Sequence, residues 1–156
     1  METTHITIAK HVIKSIKDIL KTMAGLDAEV GKPFVNKDHS IVAGDVSAVV
    51  GITGAMNGTL SLTFPRASAI ILVKSMLGDD IQDIEQDMRD AVGELTNMAS
   101  GQARAGLATE GLTLQGSTPS IITDSSPSIQ HRTAGPNVTI PFKIAANEFT
   151  VEFCFD

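Results

Sequence analysis

Glu94-Leu95-Thr96-Asn97-Met98-Ala99-Ser100 lies within the longest helical pattern of the chain and echoes Ile19-Leu20-Lys21-Thr22-Met23-Ala24-Gly25, near the end of an earlier amphipathic segment. A hairpin pattern follows each copy later in the chain. One reading of the echo is a duplicated helix-plus-hairpin unit; the other is a chance match of common helical residues. The copies differ where chemistry would sit, because the second carries Glu94 and Asn97 where the first carries Ile19 and Thr22.

Outward from the first copy, Ile6 to Met23 reads as an amphipathic helix, with Val12, Ile13, Ile16, Ile19, Leu20 and Met23 on one side and Lys10, Lys14, Lys17 and Lys21 on the other. The lysine row reads as a solvated face in preference to a docking surface for an acidic partner, and Gly25 as the C-cap. Residues 28–40, with Gly31, Pro33 and Asn36, read as a loop or short irregular strand. From Ile41 to Phe64, alternating apolar residues flank Gly54-Ala55-Met56-Asn57-Gly58, a β-hairpin with a glycine turn and no phosphate-binding sequence after it. Pro65 opens a short helix, Ala67 to Leu77, closed by Gly78. The second copy sits in a helix from Asp79 to about Leu107, with Ile84, Met88, Ala91, Leu95, Met98 and Ala99 facing inward and an acidic N-terminal end that suits the helix dipole. Leu112 to Leu114 and Ile121-Ile122 suggest short strands, and residues 125–135 an exposed polar loop. Val138 to Ile144 and Glu148 to Phe155 form a second hairpin about Ala146-Asn147. The expected fold class is α+β, a mainly antiparallel sheet with two long helices packed on it.

The 156 residues fit one domain spanning residues 1–156. With 12 Lys+Arg against 18 Asp+Glu, no Trp or Tyr and six Phe, the chain lacks the basic, aromatic-studded surface that grips nucleic acid. No segment approaches the ~20 apolar residues of a membrane span. The single cysteine, Cys154, and the polar start of the chain suit a cytoplasmic protein, and a strand position explains Cys154. His5, His11, His39 and His131 share no metal-ligand spacing and read as surface or loop residues, and no serine sits in a Gly-x-Ser-x-Gly elbow. An unrelated small-molecule enzyme is therefore disfavoured.

One constellation remains. Asp90, Glu94, Asn97 and Gly101 are spaced 4, 3 and 4 apart, so at about 100° per residue they share a narrow arc of the helix. Glycine costs about 1 kcal/mol in a helix interior, yet this helix carries Gly93, Gly101 and Gly106 besides Asn97.

Asp90-x3-Glu94-x2-Asn97, with Gly101 and with Pro119 in Ser117-Thr118-Pro119-Ser120, resembles the signature of the CheC/CheX/FliY family of chemotaxis phosphatases. Gly54-Ala55-Met56-Asn57-Gly58-Thr59-Leu60, Met76-Leu77-Gly78 and Thr22-Met23-Ala24-Gly25 are similar to the CheX branch, and the single Glu-x2-Asn copy fits CheX better than two-copy CheC. The resemblance implies hydrolysis of the aspartyl phosphate on the response regulator CheY, in chemotaxis signalling. Asn97 would orient the attacking water, and Glu94 would pair with a regulator lysine. Asp90, Gly101 and Pro119 would serve partner binding or shape the site. It implies no cofactor of the chain's own, Mg²⁺ being carried by the regulator. It also implies a homodimer joined through sheet elements, for which the two hairpins would offer edges. The alternative is a docking module of the same fold, in a chemotaxis or flagellar-switch assembly, that hydrolyses nothing.

Overall fold

A computed structural model describes residues 2–36, 44–123 and 135–156. Helix α1 (Thr3–Ala24) starts earlier than its apolar pattern suggests and ends as expected. Gly25 turns left-handed, φ 64°, and the Gly25 and Leu26 N–H groups donate to Lys21 and Leu20 carbonyls at 3.1 Å each. The earlier start corrects the reading of His5. It lies on the buried stripe of Ile8, Ala9 and Val12, only 4% exposed, and its ring stacks on Phe153. His11 is half-buried and pairs with Glu110, and His39 and His131 lie outside the described residues. Lys10, Lys14, Lys17 and Lys21 are exposed, two of them paired with Asp18 and Asp27.

Strands β1 (Ala28–Val30) and β2 (Phe34–Val35) follow, then the hairpin β3 (Val46–Gly54) and β4 (Gly58–Phe64). Ile41 and Val42, expected in that hairpin, fall outside the described residues. Helix α2 (Arg66–Leu77) leads through a 3₁₀ turn (Gly78–Asp80) into α3 (Ile84–Thr109). That turn moves the start of α3 past the expected Asp79, because Asp83 takes the N-cap: its carboxylate accepts from the N–H of Glu85 at 3.2 Å and of Gln86 at 3.3 Å. Strands β5 (Leu114–Gly116) and β6 (Ser120–Ile122) precede the second hairpin, β7 (Asn137–Ile144) and β8 (Asn147–Phe155). The polar loop expected at residues 125–135 lies outside the described residues except for Gly135.

All pairings are antiparallel, in the order β1-β7-β8-β4-β3-β5, with β2 also on β7 and β6 also on β3. The order has a twofold pattern. Exchanging α1, β1, β2, β3 and β4 for α3, β5, β6, β7 and β8 maps the sheet onto itself, with β4 and β8 at the centre. The helix-plus-hairpin repeat is therefore visible in the topology. It also corrects the expected edges: the hairpins occupy the middle of the sheet, and short strands form its borders.

One face of the sheet packs under the helices. Val46, Ala48, Val50, Leu62, Phe64, Ile140, Phe142, Phe149, Val151 and Phe153 alternate inward, and Phe149 stacks on Phe64 and Phe142 with centroids 4.4 and 5.1 Å away. Burying one such side chain contributes about 1.5–3 kcal/mol. The opposite face is polar yet also buried at its centre. Ser47 and Thr63 share a hydroxyl bond of 2.9 Å, and Glu152 accepts from Asn137 at 3.0 Å and Thr139 at 3.1 Å. Desolvation raises the Glu152 carboxyl above its ordinary range. Cys154 is buried in β8, its thiol donating to the Gly135 carbonyl.

Candidate functional site

Helix α3 buries Met88, Ala91, Val92, Leu95, Ala99, Ala103 and Leu107 against α1, α2 and the sheet. Met98, expected inward, is 37% exposed because it falls at the edge of this arc, beside Glu94. The remaining arc carries Asp90, Glu94 and Asn97, all exposed. Facing it is the segment between β5 and β6. Ser117 fixes that segment to β3, accepting from the Gly51 N–H at 2.9 Å and donating its own N–H to the Gly51 carbonyl at 2.8 Å. An open trough of about 390 Å³ lies between them, lined by Arg89, Asp90, Gly93, Glu94, Asn97, Thr118, Pro119 and Ile121.

The missing side chain at Gly93 sets the width of the trough. A Cβ there would stand 3.1 Å from Ile121 Cδ1, so the glycine lets β6 close onto α3. Within the trough the polar groups are unequally engaged. Asp90 accepts from Gln86 Nε2 at 2.8 Å, and Gln86 Oε1 accepts from Arg89 at 3.0 Å. Neither the Glu94 carboxylate nor the Asn97 amide bonds to any described residue. An amide offers two donors and an acceptor, and an ionised carboxylate only acceptors. The pair thus keeps its donors and acceptors available to groups from outside.

Four expected site residues, Asp90, Glu94, Asn97 and Pro119, meet in this trough, and Gly101 does not line it. Gly101 lies a turn further along α3, with only Arg104 Nη2, at 3.9 Å, near the place of its absent Cβ. Arg89, Thr118 and Ile121 were not anticipated. The one hint of Ile121 is Gly93, a helical glycine that suits either close approach of another side chain or helix–helix packing; the structure gives it the first role. Among the described residues no group of three or more His, Cys, Asp or Glu side chains could hold a metal ion, and no described helix is long and apolar enough to cross a membrane.

Residues 46–143, which contain α3 and the whole trough, match the family model of chemotaxis phosphatase CheX. The chain belongs to the CheX family. A crystal structure of chemotaxis protein CheX from Desulfovibrio desulfuricans is 54% identical to it and superposes with a TM-score of 0.90, covering 96% of this chain and 99% of that one. The CheY-P phosphatase CheX of Thermotoga maritima is 25% identical over 146 residues, 90% of each chain. The CheX of Borrelia burgdorferi, crystallised as a complex with CheY, BeF₃ and Mg²⁺, shares the fold at a TM-score of 0.76 and 17% identity, with 94% of this chain and 96% of that one covered.

Proposed function

We propose that the chain removes the phosphoryl group from the aspartyl phosphate of a CheY-type response regulator, in the cytoplasm, by holding the attacking water with Asn97. The observation that carries this reading is the exposed, uncommitted pair of Glu94 and Asn97 on the rim of the trough. Membership of the CheX family supports it, as does a relative that bears the name CheY-P phosphatase.

In the proposed reaction, the oxygen of a water bonded to the Asn97 amide attacks phosphorus in line with the bond to the aspartyl oxygen. That P–O bond breaks, the electron pair returns to the regulator's carboxylate, and inorganic phosphate leaves with the water's oxygen. Asn97 supplies geometry rather than basicity, which is the larger share of catalysis in phosphoryl transfer. Glu94, three residues earlier on the same face, pairs with a lysine beside the phosphoryl group and fixes the docking register. Mg²⁺ enters with the regulator. Asp90, held by Gln86, borders the docking surface, and Pro119 shapes the opposite wall. The homodimer proposed for the family resemblance would form through the border strands rather than the hairpins.

The test follows phosphate loss from a phosphorylated regulator with and without the protein. Asn97→Ala should slow the accelerated loss by at least about 100-fold while the complex still forms. Glu94→Ala should lower both affinity and rate, by about tenfold in kcat/KM. No acceleration by the unaltered protein with any cognate regulator would refute the function, and full activity of Asn97→Ala would refute the site.

A further inference from the structure

Arg104 stands seven residues after Asn97, so it returns to within about 20° of the same stripe of α3. Arg104 borders a small apolar cavity of about 20 Å³ together with Ile8, Val12, Leu107, Leu114 and Phe155, and long cationic side chains often pack their methylenes on such surfaces. An apolar border leaves the charged head group unexplained. The guanidinium is drawn back along the helix by a bond from Nε to Ser100 Oγ at 3.2 Å. It rests against a strand position with no side chain: a Cβ at Gly116 would meet Nε at 2.8 Å, Cζ at 2.9 Å and Nη2 at 3.1 Å. Arg104 is half-buried, and it forms no ion pair among the described residues. A held, partly desolvated guanidinium with spare donors is a preformed fork for a planar oxyanion.

We propose that Arg104 is a specificity-determining residue of the docking face, receiving a surface carboxylate of the phosphorylated regulator beside its phosphorylation site. This rests on the function proposed above. The guanidinium reaches back to Ser100 and Gly101, which stand about one helical turn, 5.4 Å of axial rise, beyond Asn97. The carboxylate would sit beside the phosphoryl group that receives the water, and an effect on kcat rather than KM would tell the two anions apart. Nη2 comes within 3.9 Å of where a Gly101 Cβ would stand, so at that position no side chain stands between the guanidinium and the Asn97 end of the stripe. The stripe then carries acid at Asp90 and Glu94, an amide at Asn97, a gap at Gly101 and a cation at Arg104. A partner with a lysine on one side of its phosphoryl group and a carboxylate on the other fits in one direction only, because reversal sets like charges opposite each other.

The experiment measures steady-state phosphate release by Arg104→Gln and Arg104→Met, which keep the stem, and by Gly116→Ala, which displaces the guanidinium and keeps the charge. Urea midpoints are recorded alongside. The expected result is a KM raised about tenfold with kcat within about twofold, and a weaker dependence of kcat/KM on salt for the two charge-removing variants. An unchanged KM overturns the proposal, and so does a fall in kcat at constant KM, which would put Arg104 on the phosphoryl group itself. If Arg104→Gln and Arg104→Met unfold, Gly116→Ala decides by the same KM criterion. An inactive unaltered protein would instead refute the phosphatase reading, so the two failures are distinguishable.

Discussion

Ile19 and Glu94 hold matching places in two halves built to one plan, and their surroundings have diverged. In the first half Ile19 is 5% exposed and belongs to the core, and the Thr22 hydroxyl donates to the Asp18 carbonyl at 2.9 Å. In the second half Glu94 faces solvent and the Asn97 amide bonds to nothing within the described chain. The border strands match as well: Gly31 and Pro33 separate β1 from β2, much as Gly116 and Pro119 close β5 and precede β6. One plan thus yields two helices that both pack on the sheet, of which only the second leaves a carboxylate and an amide unbonded to any described residue. What separates them is which side chains the fold consumes.

The most disruptive way to break this comparison is to write the second copy into the first. Ile19→Glu places a carboxylate in an apolar core without a partner and should cost about 3–5 kcal/mol, read as a loss of urea midpoint; Glu94→Ile, on the exposed face, should leave the midpoint nearly unchanged while lowering kcat/KM for phosphate release at least about tenfold. Next comes Asn97→Ala, whose loss of at least about 100-fold in rate should have no counterpart in Thr22→Ala, since Thr22 serves only its own helix.

Gly93→Ala separates stability from activity. The added methyl presses on the flexible end of Ile121, at 3.1 Å, while helix propensity favours alanine by about 1 kcal/mol. The melting temperature should hold or rise slightly, and kcat/KM should fall about threefold to tenfold as the trough wall moves.

The two hairpins offer a subtler contrast. Gly54 supplies the positive φ, 119°, at the first, whereas at the second Ala145 and Ala146 take φ values of 47° and 64°. Left-handed alanine is strained by about 1–2 kcal/mol, so Ala146→Gly should stabilise the protein by about 0.5–1 kcal/mol after the entropy of glycine is counted, measured by denaturant unfolding.

The smallest expected effect lies at the sheet centre, where Ser61 of β4 faces Glu152 of β8. Burial raises the folded carboxyl of Glu152 above its ordinary 4.5, so the folded state binds the proton more tightly. Its contribution is greatest below that pH and declines as pH rises through the folded-state value. Glu152→Gln should raise the urea midpoint at pH 7 and flatten this dependence.

The apolar alternation of the hairpins and the period of the helices were legible in the sequence, because a buried face imposes its spacing on the chain. Asp90, Glu94 and Asn97 could be aligned for the same reason: a shared helical face is a local property. The wall opposite was not legible, since Ile121 reaches Gly93 only through the pairing of β6 with β3. Met98 misled because it sits at the margin of the apolar arc, where composition cannot say which neighbour arrives to cover it. His5 misled for a related cause, a polar ring hidden by an extra turn of helix beneath β8. Arg104 stayed invisible because its partner in packing is a missing side chain, Gly116.

The unbonded state of Glu94 and Asn97 has a consequence for timing. Among the described residues no contact must be broken before the pair can act, so none of them latches this site. Under the proposed function, signal lifetime would then follow the number of chains present, shortening in proportion as copies are added below saturation. A cell would tune the memory of its stimulus by abundance, with the regulator's own phosphorylation as the trigger.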